Sequence, residues 1–217
     1  MDANFWRQKW LEGDIGFHQS QVEPALVTYL PECKLPAKAR IFLPLCGKTL
    51  DMGWLQQQGY QVVGAELSEL AVEQFFQALG VVPDITEYPC HLHYRSTDIE
   101  IWVGDLFDIN RAMLGQVDAV YDRAALVALP DQMRTRYAQH ISAITAQAPQ
   151  LLLSFVYEQQ LYAGPPFSVS ADEIKQLYAE HYRLHLLAQQ TGGRLKNQTP
   201  ATTQCWLLQP KVRTADH

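Results

Sequence analysis

Short apolar runs alternate with helical patterns along the first eighty residues of the chain. Two runs rich in β-branched or aromatic residues, at 40–44 and 61–66, have the length of buried strands. Each is followed by apolar residues at helical spacing, opened by Thr49 and Ser68, whose side chains can cap a helix. This β-α-β-α order predicts a parallel sheet with helices on both faces.

The rest of the chain continues this alternation with one interruption. Residues 80–97 are rich in proline and polar residues, so we expect an insertion or a hairpin arm there. The run at 150–156 is apolar almost throughout and predicts a central strand. Further strands are expected at 99–103 and 117–121 and, as an antiparallel edge pair, at 182–188 with 204–208.

Two more helices and an N-terminal cover complete the expected α/β organisation. Apolar residues at helical spacing follow Pro130, and the residues that start at Ser170 fit a capping box. The first residues look helical and precede the first strand, so we expect residues 1–35 to cover a core formed by residues 36–217. A chain of 217 residues has the length of one large domain, 1–217.

Composition and charge narrow the class of protein. Hydrophobic residues make up 47% of the chain and charged residues 18%, which excludes a disordered chain. The 17 Lys and Arg residues are outnumbered by 23 Asp and Glu residues, for a net charge of −6. Such a chain has no electrostatic reason to hold a phosphate backbone, so we expect no nucleic-acid partner.

The cysteines and the N-terminus bear on where the protein works. The four cysteines are scattered, with no C-x-x-C pair typical of zinc or redox sites. The N-terminal stretch MDANFWRQKWLEGD lacks the apolar region of a signal peptide. No apolar run approaches the ~18 residues that a spanning helix needs. We therefore expect a cytoplasmic protein that does not associate with membranes.

Two positions at the ends of the first two strands favour a nucleoside cofactor. In an open α/β sheet, ligands bind beyond the carboxyl ends of the strands. The turn at 44–48 contains Gly47, and Glu66 ends the second strand 19 positions later, where a ribose is held in such folds. An ordinary tight turn and an acidic helix cap are the alternatives. No G-x-G-x-x-G fingerprint is present, which favours S-adenosylmethionine over NAD.

Two further strand ends carry polar residues suited to the same ligand. Asp105 and Leu106 follow the strand at 99–103, and a polar residue beside an apolar one can bind the edge and face of an adenine. Arg123 follows the strand at 117–121, and its alternative role is that of an ion-pair partner of Asp122.

Three histidines and one cysteine are weaker candidates for a functional role. His18 would touch a substrate or simply lie on the surface. His91 and His93 lack a third ligand, so we expect no metal site. Cys46 has no partnered histidine and is interpreted as a packing residue rather than a nucleophile.

Several motifs occur together and in order over about residues 5–170. The set resembles the thiopurine S-methyltransferase family, whose members have a class I S-adenosylmethionine-dependent fold. That resemblance implies a three-layer, doubly wound, mostly parallel, Rossmann-like sheet of seven strands. The segments that carry it are WRQKW at 6–10, GFHQ at 16–19, PLCGK at 44–48, DMGWL at 51–55, VGAELSE at 63–69, YDRAAL at 121–126 and GPPF at 164–167.

The resemblance also implies roles for individual residues. S-adenosylmethionine would be the cofactor and S-adenosylhomocysteine its product, and no residue is expected to act as a general base. Trp10 would contact the sulfonium through its indole face, although an anchor for the first helix is the alternative for both Trp6 and Trp10. The cofactor site would comprise Trp10, Leu45, Glu66, Asp105, Leu106 and Arg123, and the acceptor pocket Phe17, Arg123, Pro166 and Phe167.

The activity expected from this resemblance is S-methylation of small aromatic or heterocyclic thiols, as in xenobiotic metabolism, by a monomer. Bacterial relatives are associated with selenium and tellurium compounds. Two alternatives stay open: methylation of an oxygen or nitrogen acceptor by the same fold, and a nucleoside-binding module without catalysis.

Overall fold

A single β-sheet organises the chain in the computed structural model, which describes residues 3–211. Seven α-helices and nine β-strands occur within that range. The helices are α1 (Ala3–Leu11), α2 (Pro24–Tyr29), α3 (Leu50–Gln57), α4 (Glu69–Leu79), α5 (Arg111–Leu114), α6 (Asp131–Ile144) and α7 (Ala171–Tyr178). The strands are β1 (Arg40–Pro44), β2 (Gln61–Glu66), β3 (Asp84–Glu87), β4 (Leu92–Ser96), β5 (Ile99–Val103), β6 (Ala119–Asp122), β7 (Gln150–Val156), β8 (Tyr182–Arg194) and β9 (Pro200–Pro210).

Five parallel strands form the centre of the sheet. The order across the sheet is β3-β4-β5-β2-β1-β6-β7-β9-β8, and β5, β2, β1, β6 and β7 are mutually parallel. Ile41 of β1 lies between Val62 of β2 and Ala119 of β6. Central parallel strands are covered on both faces, which explains why their sequences are almost continuously apolar. The predicted fold class is confirmed.

The arm predicted at 80–97 forms two additional strands. β3 and β4 make an antiparallel hairpin, and β4 pairs antiparallel with β5, where His93 lies opposite Trp102. The predicted number of seven strands is therefore wrong for the described residues, because the hairpin extends the sheet instead of standing apart from it.

The last two strands close the other edge, as predicted. β9 pairs antiparallel with β7, with Leu151 opposite Leu207, and β8 pairs antiparallel with β9. Both strands are longer than the patterns predict, because register shifts near Leu186 and Gln190 let the pairing continue. The turn at 195–199 that joins them projects towards the N-terminal residues, which matters for the site.

Helix caps fix the helices to the strand ends. The Ser68 hydroxyl accepts a hydrogen bond from the Ala71 N–H at 3.4 Å, and α4 then buries Val72, Phe75 and Phe76 on one face. Burying such a side chain stabilises the fold by about 1.5–3 kcal/mol. Gly80, with φ of +67°, ends the helix in a left-handed conformation.

The N-terminal residues pack on the same core as the sheet. Leu26 of α2 and Leu30 are buried in the apolar cluster that contains Ile41 and Leu43. The N-terminal residues around α2 therefore pack against the first strand, while the division into a cover of residues 1–35 and a core of residues 36–217 stays a prediction. Within the described part of the chain, every helix is too short or too polar to cross a membrane.

Candidate active site

The turn after β1 is built around two residues with positive φ. Leu45 has φ of +49° and Gly47 has φ of +55°. A Cβ atom at Gly47 would lie 3.0 Å from Cζ2 of Trp10, so glycine also allows the indole to approach the turn. The Thr49 hydroxyl accepts from the Asp51 N–H at 3.3 Å and starts α3. The turn therefore leaves a compact backbone surface beneath Trp10.

Glu66 joins this turn to the end of β2. Its Oε2 accepts from the Gly47 N–H at 2.7 Å, and its Oε1 accepts from the Ser68 N–H at 2.8 Å. The side chain is buried, and burial raises the pKa of its carboxyl group although the backbone hydrogen bonds oppose this. Glu66 therefore does accept a hydrogen bond near the start of the next helix, as the cap alternative expects. Each of its carboxylate oxygens still has a lone pair that can accept from a further donor, such as a ribose hydroxyl.

The N-terminal cover reaches the end of β6 through an aromatic cluster. The Phe17 ring lies 5.4 Å from the Trp10 ring and 5.6 Å from the Trp6 ring, centroid to centroid, with edge-to-face geometry. The Phe17 carbonyl oxygen accepts from Nη1 of Arg123 at 3.1 Å. Trp10, Phe17 and Arg123 are thereby brought together, although the sequence separates them by more than a hundred positions.

Arg123 and Asp122 have different partners. The Asp122 carboxylate is buried and accepts from the Tyr137 hydroxyl at 2.6 Å and the Leu126 N–H at 3.1 Å. Burial raises the pKa of Asp122 to about 6. Arg123 instead lies with Nε 3.8 Å from Oε2 of Glu23. The alternative in which Arg123 only pairs with Asp122 therefore does not describe the structure.

The turn after β5 holds the predicted adenine residues. The Asp105 carboxylate accepts from the Phe107 N–H at 2.9 Å, and the buried Leu106 has a carbonyl that accepts from His140 Nε2 at 2.9 Å. His91 Nε2 lies 3.2 Å from the Asp105 carbonyl oxygen, which it can reach only as a donor. His91 therefore fixes this turn, a role that the sequence did not indicate.

The segment at 164–167 is held by Tyr157 and by the residues after Arg123. The Tyr157 hydroxyl donates to the Pro166 carbonyl at 2.6 Å. The Phe167 N–H donates to the Val127 carbonyl at 2.6 Å. These bonds place Phe167 next to the short turn of helix that follows Arg123, and its role in an acceptor pocket stays a prediction.

The isolated histidines and cysteine have structural surroundings. His93 stacks on Trp102 at 3.9 Å and bonds Glu100 at 2.7 Å. Burial raises the pKa of the Cys46 thiol well above its usual value, which fits a packing residue rather than a nucleophile. Burial, and then the charges of Lys48 and Arg123, lower the pKa of His18.

Sequence reasoning missed two acidic residues that stabilise the site. Asp51 is buried in the first turn of α3, where its Oδ1 accepts from the Glu23 N–H at 2.8 Å and its Oδ2 from the Tyr121 hydroxyl at 3.1 Å. An acidic residue in a first helical turn is common, so no local signal distinguishes Asp51. Glu23 precedes a helix, where an acidic residue is also common, so the sequence gives no sign of its contact with Arg123.

Known structures of S-adenosylmethionine-dependent methyltransferases share this fold. One from Anabaena variabilis is 16% identical, with a TM-score of 0.66, and the match covers 96% of this chain and 95% of that one. A 1,6-didemethyltoxoflavin-N1-methyltransferase from Burkholderia thailandensis, solved with S-adenosylhomocysteine bound, is 13% identical, with a TM-score of 0.63 and coverage of 95% and 87%.

Sequence comparison is more specific. The family model of thiopurine S-methyltransferase matches residues 1–205. A thiopurine S-methyltransferase of Acinetobacter baylyi is 48% identical over 97% of this chain and 100% of its own length. One of Xanthobacter autotrophicus is 46% identical over 96% and 99%. The chain belongs to the thiopurine S-methyltransferase family.

Proposed function

We propose that the chain transfers the methyl group of S-adenosylmethionine to the sulfur of small aromatic or heterocyclic thiols. One observation carries this proposal beyond family membership. Phe17 lies against Trp10 on one side and is hydrogen-bonded to Arg123 on the other, so the proposed cofactor and acceptor groups meet around one residue. Selenium and tellurium acceptors fall within the same proposal, since their anions also react as soft nucleophiles.

The residues at the strand ends fit the methyl donor. Glu66 offers carboxylate oxygens to the ribose hydroxyls, and its anchored position removes the cost of ordering it on binding. Trp10 offers an indole face to the sulfonium, a contact worth about 0.5–2 kcal/mol. The rest of the cofactor site would be lined by Leu45, Asp105 and Leu106. When bound, the donor supplies a methyl carbon activated by a positively charged sulfur.

The acceptor side would orient and stabilise a thiolate. Arg123 favours the anion, and the aromatic and proline side chains of Phe17, Pro166 and Phe167 exclude water. Alignment of nucleophile, methyl carbon and leaving sulfur at about 3–3.5 Å is the main catalytic task. A dry site assists because thiolate and sulfonium charges disappear together in the products.

No general base is needed if the acceptor arrives ionised. The lowered pKa of His18 keeps its ring neutral at pH 7, beside the cations Lys48 and Arg123. A heterocyclic thiol whose pKa lies below that pH, unlike an alkyl thiol with a pKa near 8.5, is already largely a thiolate. We expect the acidic limb of kcat/KM to move with the acidity of each thiol.

The test is incubation with labelled S-adenosylmethionine and matched thiols, phenols and amines. Transfer to the thiols alone supports the proposal. Preferred transfer to phenols or amines would favour an O- or N-methyltransferase, and binding without any transfer would favour a nucleoside-binding module. An acidic limb that stays fixed across thiols and disappears in His18→Gln would make His18 a general base.

The remaining expectations form part of the same proposal. We infer a single domain over residues 1–217 that acts as a monomer in the cytoplasm on small xenobiotic thiols. The net charge of −6 supports a role without a nucleic-acid partner. Sedimentation in the presence and absence of S-adenosylhomocysteine tests the oligomeric state.

A further inference from the structure

Glu23 lies next to the arginine of the acceptor side but belongs to none of the motifs. Its Oε2 is 3.8 Å from Nε of Arg123, and only 16% of its side chain and 14% of that of Arg123 are exposed. Its Oε1 accepts from the Ala25 N–H at 3.2 Å, so the same carboxylate also caps α2. The limited exposure reduces screening of the charge interaction by solvent.

The position of Glu23 is fixed by a closed set of contacts. Its N–H donates to Oδ1 of Asp51, whose Oδ2 accepts from the Tyr121 hydroxyl. Tyr121 precedes Arg123 by one intervening residue in the chain. Glu23, Asp51 and the end of β6 therefore hold one another, and the Glu23 carboxylate stays on the guanidinium.

Lys48 is a second cation near Arg123, and the Glu66 carboxylate lies close to it through its hydrogen bond from the Gly47 N–H. Lys48 Nζ lies 5.8 Å from the centroid of the Trp10 ring. After burial, the charges of Lys48 and Arg123 are the causes that lower the pKa of His18, which places both cations near that imidazole. The further titratable groups facing this cluster are Asp51, the Tyr121 hydroxyl and the Cys205 thiol.

We propose that Glu23 is a positioning residue that holds Arg123 and balances its charge, so that one site accepts both a sulfonium cation and a thiolate. This inference rests on the proposed function. Without Glu23, the balance of fixed charge would shift towards the cations Lys48 and Arg123, which would repel the sulfonium of S-adenosylmethionine more strongly. S-adenosylhomocysteine has a neutral sulfur and would not experience that repulsion.

Glu23→Gln tests the charge because its amide oxygen can still accept from the Ala25 N–H. Calorimetry at pH 7 should show that the ratio of the Kd of S-adenosylmethionine to the Kd of S-adenosylhomocysteine rises about threefold to tenfold. The matched control is Glu32→Gln, an exposed glutamate of the same N-terminal cover, which should leave the ratio unchanged. This binding experiment needs no acceptor, so its outcome is separate from whether thiols are methylated.

Two further results complete the test. Glu23→Asp keeps the charge and should hold the ratio within about twofold of the unmodified protein. With an aromatic thiol that ionises between pH 5 and 9, the acidic limb of kcat in Glu23→Gln should move about 0.5–1 pH unit lower, because an unbalanced Arg123 favours the thiolate more strongly. If Glu23→Gln weakened the binding of S-adenosylmethionine and S-adenosylhomocysteine equally, and the acidic limb of kcat did not move, Glu23 would act only as a helix cap. The proposal would also be overturned if Glu23→Asp raised the ratio of the two Kd values as much as Glu23→Gln does.

Discussion

The proposed cofactor side, around Glu66, and the proposed acceptor side, around Arg123, are assembled in different ways. On the cofactor side, Glu66 bonds residues 19 positions before it and two after it. On the acceptor side, Arg123 bonds a carbonyl 106 positions away. Strand-end turns thus create the first side locally, whereas the second exists only when distant segments have packed. Short motifs of the resemblance contribute to both sides, so the two differ in how far apart in the chain those motifs lie rather than in whether motifs exist.

The turn at 195–199 extends the acceptor side in the same manner. Lys196 Nζ lies 2.7 Å from Oδ1 of Asp14, 182 positions away, and Asp14 also pairs with Lys9. The Asn197 amide donates to the Leu161 carbonyl at 3.1 Å. The turn therefore connects the N-terminal cover to the loop that carries Pro166 and Phe167.

The largest expected effect lies at the boundary of the two sides, in Asp122. Its folded-state pKa of about 6 exceeds the usual 3.8, so the folded protein binds a proton between these values that the unfolded chain has lost. The contribution of the Asp122 carboxyl group to the free energy of unfolding is greatest below pH 4 and is lost as the pH rises through 6. Asp122→Asn lacks this decline, so its stability relative to the unmodified protein should rise by about 2 kcal/mol from pH 4 to pH 7.

Urea unfolding of both proteins at several pH values measures this difference, in which the other titrating groups cancel. Asp118→Asn, at the less buried residue immediately before the same strand, is the control. A difference between Asp122→Asn and the unmodified protein that is constant from pH 4 to pH 7 would show that Asp122 does not take up its proton there.

The next effect tests the cofactor side alone. Glu66→Ala removes the acceptor of the Gly47 and Ser68 N–H groups and the proposed partner of the ribose, which should weaken S-adenosylmethionine binding by about 1–3 kcal/mol. Calorimetry measures the Kd, and Glu87→Ala on the exposed strand β3 serves as the control. Unchanged affinity would remove Glu66 from the proposed cofactor site.

The substitution Arg123→Lys tests whether Arg123 acts mainly on the acceptor or on the cofactor. Lysine keeps the charge but lacks the planar fork that reaches both the Phe17 carbonyl and Glu23. We expect kcat/KM for a thiol to fall about tenfold, or about 1.4 kcal/mol, while the Kd of S-adenosylhomocysteine changes less than about threefold. Equal losses in both would mean that Arg123 serves the cofactor rather than the acceptor.

The smallest effect concerns the turn at 195–199. Lys196→Gln removes one of two cations beside Asp14, whose pKa those lysines lower to about 2. Because this pair is exposed, we expect only about a two- to fivefold rise in KM for the thiol, with cofactor affinity unchanged. Lys175→Gln, which breaks the exposed pair with Asp172 at 3.0 Å, is the matched control. Identical kinetics in the two variants would exclude the turn from the acceptor side.

The same contrast explains what the sequence could predict. The strands at 40–44, 61–66, 99–103 and 150–156 are where the apolar runs placed them, because burial on both faces of a sheet leaves a direct pattern. Thr49 and Ser68 cap helices as expected, since capping depends on neighbouring residues.

The remainder depends on contacts between distant residues. The pairing of β4 with β5 and the bond from Glu23 to Asp51 leave no periodic signal in either partner. For the same reason, residues that only support the site, such as His91 and Asp51, resemble ordinary surface or helix-start residues in the sequence. Glu66 and Arg123 were located at the ends of predicted strands and Trp10 through the family resemblance, and the roles of all three in the site stay predictions.

The two hydrogen bonds that Glu66 accepts constrain how this protein can evolve. A substitution that removes the Glu66 carboxylate would release the Gly47 and Ser68 N–H groups that shape two turns. If Glu66 holds the ribose as proposed, a change of cofactor at this position would therefore also disturb the scaffold. Changes in the 195–199 turn, whose bonds run to Asp14 and Leu161, carry no such coupling to the central strands, so new acceptors are the accessible direction of divergence there.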